Sequence, residues 1–238
     1  MQVAVAAIAA LAATGFAVDL FAGWRRRPRP QAAAWTMAMA AYALATWSLV
    51  LGLATGWAGG TFGIFYLLGA VANTMLLATG SVYLVFGPRA GKAFLTFTLV
   101  LVGFGAVLVL GTPFVGEVAE GTMPSGREMF TAPGPRIIAA VSNIIGTTVV
   151  VGLALYSAAR YWRSSRHLAV GNALIALGML IPAFGGTLTA FGEVGGFAVS
   201  LLAGAVLLWA GYRIATAARF SAAAAPSAID VPDEADAV

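Results

Sequence analysis

Seven stretches of almost uninterrupted apolar residues constrain the fold of this chain more than any other feature. They cover residues 2–24, 33–55, 62–86, 93–112, 136–159, 168–190 and 195–216. Each is close to the length of about 20 residues that a helix needs to cross the hydrocarbon core of a bilayer. The runs are apolar all round rather than alternating, which favours helices over the strands of a membrane barrel. The sequence therefore predicts an all-α membrane protein built as a bundle of seven transmembrane helices.

The composition indicates that lipid is the solvent of most of the chain. Only 9% of the residues are charged and 61% are hydrophobic, with a mean hydropathy of +0.91. A soluble domain carries about 25% charged residues. The formal net charge of +4 does not indicate nucleic acid, because the basic residues form short clusters between the apolar runs. The predicted partner is the lipid bilayer, and no nucleic-acid partner is expected.

The placement of basic residues predicts the orientation. They follow the first, third, fifth and seventh runs: Arg25, Arg26, Arg27, Arg29, Arg89, Lys92, Arg160, Arg163, Arg166, Arg213 and Arg219. Of the 13 Lys and Arg residues, only Arg127 and Arg136 lie in the alternate links. Positively charged loops remain in the cytoplasm. We therefore expect a multi-pass protein of the plasma membrane, with the N-terminus outside and the C-terminus in the cytoplasm.

Two segments are predicted to lie outside the bilayer. Residues 1–219 form the seven-helix domain, and its longest link is an outer loop over residues 112–135 that contains four prolines. Within this loop the sequence PSGREMF predicts one short helix with Ser125 as its N-cap. Residues 220–238 are rich in Ala and Pro and end in acidic residues, which predicts a disordered C-terminal tail.

Several kinds of chemistry are missing from the sequence. The chain has no cysteine and one histidine, His167, which argues against thiolate sites and multi-histidine metal sites. Lys92 is the only lysine and lies in a predicted cytoplasmic link, so no helix carries a lysine for a retinal Schiff base. No nucleophile–base pair or metal cluster is visible. We therefore expect no metal, no cofactor and no enzymatic activity.

Two carboxylates lie near the ends of the runs. Asp19 is about one turn from the basic cluster that follows the first run, and we interpret it as a structural ion pair with Arg25. Arg26 or a basic residue from another loop is an alternative partner, and a proton or cation site is the functional alternative. Glu193, in the link between the last two runs, is interpreted as a solvated side chain or as a ligand contact at the outer mouth.

Uncharged polar residues cluster near the middle of the bundle. Asn73 and Thr147 lie at similar depth, and Asn143 lies about 6 Å farther out by the helical rise. Such groups are expected to form hydrogen bonds between helices. The alternative is the polar wall of a cavity, with the candidate ligand-binding residues Asn73, Asn143, Thr147, Pro182, Thr187 and Glu193.

The stretch GMLIPAFGGTL, residues 178–188, holds a proline and two adjacent glycines inside the sixth run. Pro182 removes a backbone donor and clashes with the carbonyl of Gly178, which predicts a kink that frees this carbonyl toward the interior. A broken-helix binding site that includes Gly185 and Gly186 is the alternative. Either interpretation places the expected cavity in the outer half of the bundle, beside Pro182.

Three stretches together resemble a known family: FYLLGAVANTMLLATGSVYLV, SNIIGTTVVVGLALYSAARYW and GNALIALGMLIPAFGGTLTAFG. The chain is similar in them to an uncharacterised family of small bacterial seven-helix integral membrane proteins. The resemblance covers nearly all of residues 1–216 and implies no activity. In architecture alone the chain also resembles the seven-helix sensory regions that precede bacterial histidine kinases.

These observations lead to a functional expectation. The chain is expected to be a non-enzymatic binding, sensing or accessory subunit that acts through partner proteins. Its candidate partners are another membrane protein or a second copy of the chain. The alternative is a transporter or channel for a small solute or a lipid-like molecule. No carboxylate lies at the centre of a run, which weighs against ion-coupled transport.

Overall fold

The structure is a computed structural model in which the described part of the chain is helical. It describes the backbone of residues 1–115, 122–188 and 194–224, and their side chains other than those of residues 187, 188, 194 and 219–224. The elements are α1 (Gln2–Arg26), α2 (Pro30–Thr55), α3 (Gly59–Phe65), a π-helix (Tyr66–Ala72), α4 (Asn73–Gly111), α5 (Gly126–Met129), α6 (Gly134–Tyr161), α7 (Arg166–Leu188) and α8 (Val194–Ala224). No β-strand occurs in these stretches, so the predicted all-α class is confirmed.

Six helical stretches of the described chain are long and apolar enough to cross a membrane. The number differs from the seven apolar runs because the third and fourth runs form one helical stretch of 53 residues, Gly59–Gly111. This stretch is not straight. Gly87 has φ 82° and ψ −175°, in the left-handed half of backbone space, and Pro88 follows it.

The chain reverses direction at Gly87. The hydroxyl oxygens of Thr79 and Thr98 are 2.9 Å apart, whereas 19 residues of straight helix would separate them by about 28 Å. The stretch is therefore a hairpin, with a first arm (residues 59–86) and a second arm (residues 88–111). Glycine suits this turn because a β-carbon in the left-handed region is strained.

Small residues let the two arms approach. Gly91, Thr98 and Gly105 recur at seven-residue spacing along the second arm, and all three are buried. A β-carbon at Gly91 would clash with the ring of Tyr83, and one at Gly105 would lie 2.8 Å from a methyl of Val71. A seven-residue repeat is the pattern of left-handed helix pairs. Most other side chains of the second arm are exposed, which suits a helix at the edge of the bundle.

The most extensive helix contact joins α7 and α8, which run antiparallel. Gly178 lies against Leu208 and Gly204, and the ring of Pro182 fills the space where Gly204 would carry a β-carbon. The α7 helix continues through Pro182 to Leu188, so the chain is not interrupted there. A β-carbon on Gly204 would lie 2.9 Å from the Gly178 carbonyl oxygen, so this carbonyl faces α8. The carbonyl that was predicted to be freed toward the interior is therefore packed against a neighbouring helix.

The first and last long helices are neighbours and run parallel. Gly15 of α1 lies against Trp209 of α8, and Asp19 of α1 contacts Arg213 of α8. Residue numbers therefore increase in the same direction along both helices. This parallel arrangement constrains the number of times that the bundle can cross a membrane. The helix directions place the link at residues 27–29, the Gly87 turn and the link at residues 162–165 at one end, here called the basic end.

Aromatic side chains form a cluster of ring contacts at the opposite end of the bundle. The rings in contact are Trp57, Phe62, Phe65, Tyr66, Phe114, Phe130 and Phe197. Trp57 is buried and donates its indole N–H to the Thr122 carbonyl at 2.8 Å. The predicted short helix is confirmed as α5. The Ser125 hydroxyl accepts from the Glu128 amide, and the Glu128 carboxylate accepts from the Ser125 amide.

Candidate functional site

The predicted polar residue Asn143 lies at the interface between the first arm and α6. Asn143 of α6 donates through Nδ2 to the Ala70 carbonyl of the π-helix at 2.6 Å and to the Ala139 carbonyl at 3.0 Å. Ala70 belongs to the π-helix, whose wider turns displace carbonyls from the regular ladder. The Asn143 amide therefore serves as a structural link between the first arm and α6, and its donor is not available to a ligand.

Asn73 lies at the same interface. The neighbouring Thr74 hydroxyl donates to the Ser142 carbonyl at 3.4 Å, and a β-carbon on Gly146 would lie 2.7 Å from the Thr74 backbone. Asn73 Oδ1 and Ser142 Oγ are buried without a hydrogen-bond partner among the described residues. The helices are in direct contact here, which leaves these two oxygens enclosed by protein.

The other predicted ligand residues do not converge with this interface. Thr147 is half-buried on α6, one residue from Gly146. Pro182 packs against Gly204 on the α7–α8 contact. The side chain of Thr187 and all of Glu193 lie outside the described residues. None of the four described residues of this set, Asn73, Asn143, Thr147 and Pro182, lines the cavity found between the helices.

The ion pair predicted for Asp19 has a different partner. Arg213 donates through Nη1 to Asp19 Oδ1 at 3.2 Å, and the indole N–H of Trp209 donates to Asp19 Oδ2 at 2.8 Å. Arg25, the predicted partner, instead lies over the ring of Phe21 at 6.0 Å. The prediction of Arg25 was wrong because α1 packs beside α8, which brings a residue 194 positions away closer than one six positions away.

An internal cavity lies in the half of the bundle next to the basic end. Its volume is about 90 Å³, which exceeds the roughly 10–15 Å³ required for one water molecule. Residues of α1, α2, the first arm, α6, α7 and α8 line it. The lining residues are Phe16, Leu20, Trp35, Leu77, Ser81, Leu84, Val85, Val150, Leu153, Ala154, Ser157, Asn172, Ile175, Leu208, Tyr212, Ala215 and Thr216.

The cavity wall is mainly apolar and carries no charged side chain. Aromatic rings come from three helices, with Phe16 5.6 Å from Tyr212 and Trp35 6.3 Å from Tyr212 between ring centroids. Rings held edge-on and tilted in this way are rigid, amphipathic surfaces for a ligand. The wall therefore suits an uncharged organic molecule better than an ion.

Uncharged polar side chains make up the rest of the wall. Ser81 donates to the Leu77 carbonyl at 3.0 Å, and Asn172 donates through Nδ2 to the Leu168 carbonyl at 2.8 Å. The side chains of Tyr212 and Thr216 bond each other. The Ser157 hydroxyl has no hydrogen bond to any described residue. Ser157, together with the remaining capacity of Asn172, offers hydrogen bonds that the protein itself does not use.

Sequence reasoning missed this site. Trp35, Ser157 and Tyr212 lie near the ends of apolar runs, where polar and aromatic residues are common and do not indicate a site. The one available signal was Asn172, an amide inside the sixth run. In the described part of the chain, no group of three or more His, Cys, Asp or Glu side chains is placed to hold a metal.

Comparison with known proteins leaves the site to be interpreted from its own geometry: no family model, curated protein or solved structure matches the chain. The resemblance to small bacterial seven-helix membrane proteins stays a prediction.

Proposed function

We propose that the chain crosses the plasma membrane of a bacterium seven times and binds a small uncharged molecule in the cavity near the basic end. The parallel packing of α1 and α8 supports an odd number of crossings. In a bundle whose successive helices alternate in direction, the first and last helices run parallel only when the number is odd. The reversal at Gly87 supplies the additional crossing that turns six long helical stretches into seven.

The orientation follows from the charges. The basic end carries the arginines of the α1–α2 link, Arg89 and Lys92 beside Gly87, and the arginines around the α6–α7 link. The positive-inside rule assigns such an end to the cytoplasm. The N-terminus then lies outside and the C-terminus inside, and the cavity lies in the cytoplasmic half.

Cysteine labelling tests this topology directly, because the chain has no native cysteine. Thr131 and Ser164 are exposed and lie at opposite ends of the bundle. With a membrane-impermeant maleimide, Thr131→Cys is expected to react in intact cells and Ser164→Cys only after permeabilisation. Reaction of both variants from the outside, or the reverse pattern, would contradict the proposed topology.

The cavity is the observation that carries the functional proposal. It is formed by six helical segments, lined by neutral polar and aromatic side chains, and has unused hydrogen-bonding capacity at Ser157 and Asn172. An aromatic cluster packs at the opposite end, which favours binding from the basic end over passage through the bundle. Binding or sensing also needs no acid, base or nucleophile, and the wall has none that is charged. The bound state would be passed to a partner protein or a second copy of the chain.

Ligand-induced stabilisation tests the binding site. Phenol, benzyl alcohol, indole and benzamide are suitable probes because each joins a ring to one hydrogen-bonding group. A ligand that binds only the folded protein raises stability by about 2.7 kcal/mol at 100 times its dissociation constant. We expect at least one probe to raise the unfolding temperature of the wild type.

A matched pair of variants separates site binding from effects on the detergent. Ala154 lines the cavity and Ala159 is exposed on the same helix. Ala154→Leu fills the cavity and is expected to abolish the shift, whereas Ala159→Leu should leave it unchanged. A shift of equal size in all three proteins would arise from the detergent and would contradict the proposal, as would no shift with any probe.

A transporter or channel for small solutes is the second candidate. The unpartnered Asn73 Oδ1 and Ser142 Oγ favour it, because Asn73 lies about one turn beyond cavity residue Leu77 and Ser142 about two turns beyond cavity residue Val150. Stopped-flow light scattering of proteoliposomes under glycerol and urea gradients tests this candidate. Permeation faster than in protein-free vesicles, and slower with Asn73→Val, would support transport. Rates equal to those of protein-free vesicles would exclude it for these solutes.

A further inference from the structure

A surface groove between α1 and α8 lies on the other side of the wall from the cavity. Its volume is about 690 Å³, and it is open to the surroundings of the bundle. Val18 and Val206 line the groove, and their side chains are 61% and 48% exposed. The groove is also lined by three small residues, Gly15, Ala22 and Ala210. In a membrane these side chains face lipid.

The groove ends in a cationic group at the basic end. The Arg213 side chain is 67% exposed, and only its Nη1 contacts Asp19, at 3.2 and 3.3 Å from the two oxygens. A guanidinium has five N–H donors in a planar fork. No other acceptor among the described residues contacts this group, so most of its donors face outward.

Asp19 and Trp209 hold Arg213 in place. The Trp209 indole N–H donates to Asp19 Oδ2 at 2.8 Å, which fixes the carboxylate that Arg213 contacts. Asp19 also neutralises one positive charge, but Arg26 lies seven residues farther along α1 and hence on the same helix face. This side of α1 and α8 near the basic end therefore carries two arginines against one carboxylate, and Arg213 is the arginine that lines the groove.

We propose that this groove binds an anionic phospholipid of the leaflet at the basic end. The phosphate would accept hydrogen bonds from the Arg213 guanidinium, and an acyl chain would lie along Val18 and Val206. Arginine matches phosphate oxygens through paired N–H groups. An additional positive charge at the membrane surface favours an anionic headgroup over a zwitterionic one, whose cationic group would approach Arg26. This inference rests on the groove alone and stands apart from the ligand proposed for the cavity.

Lipid retention by the purified full chain tests the proposal. Native mass spectrometry after incubation with dioleoyl phosphatidylglycerol or dioleoyl phosphatidylcholine gives the relative affinities. The wild type is expected to retain phosphatidylglycerol preferentially. Arg213→Gln is expected to weaken this binding about fivefold, the effect of one basic residue at a membrane surface. Arg163→Gln, with the same change of charge at the α6–α7 link, should retain the lipid as the wild type does.

Asp19→Asn separates lipid binding from loss of the ion pair. Both Asp19→Asn and Arg213→Gln remove the ion pair, so an effect of losing the ion pair alone would be the same in both. Because Asp19→Asn removes a negative charge beside Arg213, phosphatidylglycerol binding should be equal to or tighter than in the wild type. The proposal is overturned if Arg213→Gln binds like the wild type, if Arg163→Gln loses as much, or if Asp19→Asn weakens binding as Arg213→Gln does.

Discussion

The contact between the first arm and α6 makes one glycine particularly sensitive to substitution. A β-carbon on Gly146 would lie 2.7 Å from the Thr74 backbone carbon and 2.8 Å from its hydroxyl oxygen. The backbone cannot rotate away as a long side chain can, so Gly146→Ala must push the two helices apart. The separation would also lengthen the Thr74 bond to the Ser142 carbonyl, which is 3.4 Å long at the outset.

The expected cost follows from the overpacking of one methyl group. Inserting a methyl into a well-packed contact destabilises a protein by about 1–3 kcal/mol. For a chain of this size, this corresponds to a fall in unfolding temperature of roughly 3–10 °C. Intrinsic tryptophan fluorescence during heating in a mild detergent measures the transition, and far-UV circular dichroism checks that the helix content is retained before unfolding.

Gly152 provides the matched control on the same helix. Nothing lies within 4 Å of a β-carbon placed there. Alanine is the better helix former by about 0.5–1 kcal/mol, so Gly152→Ala is expected to leave the unfolding temperature unchanged or to raise it. If Gly146→Ala were as stable as Gly152→Ala, the two helices would not be in the close contact described, and the reasoning on the interface would be refuted.

Three further substitutions test other parts of the fold by the same unfolding measurement. Gly87→Ala places a β-carbon at φ 82° and should destabilise the hairpin by about 1–2 kcal/mol, whereas no loss would contradict the turn. Tyr42→Phe removes a buried hydrogen bond to the Leu201 carbonyl, 2.8 Å long, and should cost about 0.5–1.5 kcal/mol, the net contribution of one hydrogen bond; a neutral effect would argue against that bond. A double-mutant cycle of Thr79→Val and Thr98→Val should give a coupling of about 0.6 kcal/mol, while strict additivity would show that the hydroxyls do not bond across the hairpin.

The fold class could be predicted because it depends on local properties of the chain. An apolar run long enough to cross a bilayer stays helical whatever its neighbours are, since its backbone groups must bond within the segment. The hairpin was accessible for the same reason: the predicted runs end at residue 86 and begin again at residue 93, on either side of Gly87 and Pro88. The Ser125 capping box is likewise a local pattern.

The site could not be predicted because it depends on which helices are neighbours. The sequence offered Arg25 as the nearest cation to Asp19, and only the parallel packing of α1 beside α8 brings Arg213 there. The proposed cavity was expected beside Pro182, where a proline usually frees a carbonyl. In the structure a glycine on α8, Gly204, accommodates the proline ring, so the irregularity creates a close helix contact rather than a space.

Two regions of the bundle contain polar side chains with unused hydrogen-bonding groups. They differ in whether open space lies next to those groups. At Asn73 and Ser142 the capacity is present but the helices touch, as the contact of Gly146 with Thr74 shows. An enclosed polar atom of this kind lowers stability. At Ser157 the capacity faces a cavity of about 90 Å³ between aromatic rings. A polar group that adjoins such a space gains a hydrogen bond when a ligand enters, so the ligand that we propose would bind in the cavity rather than at the midplane.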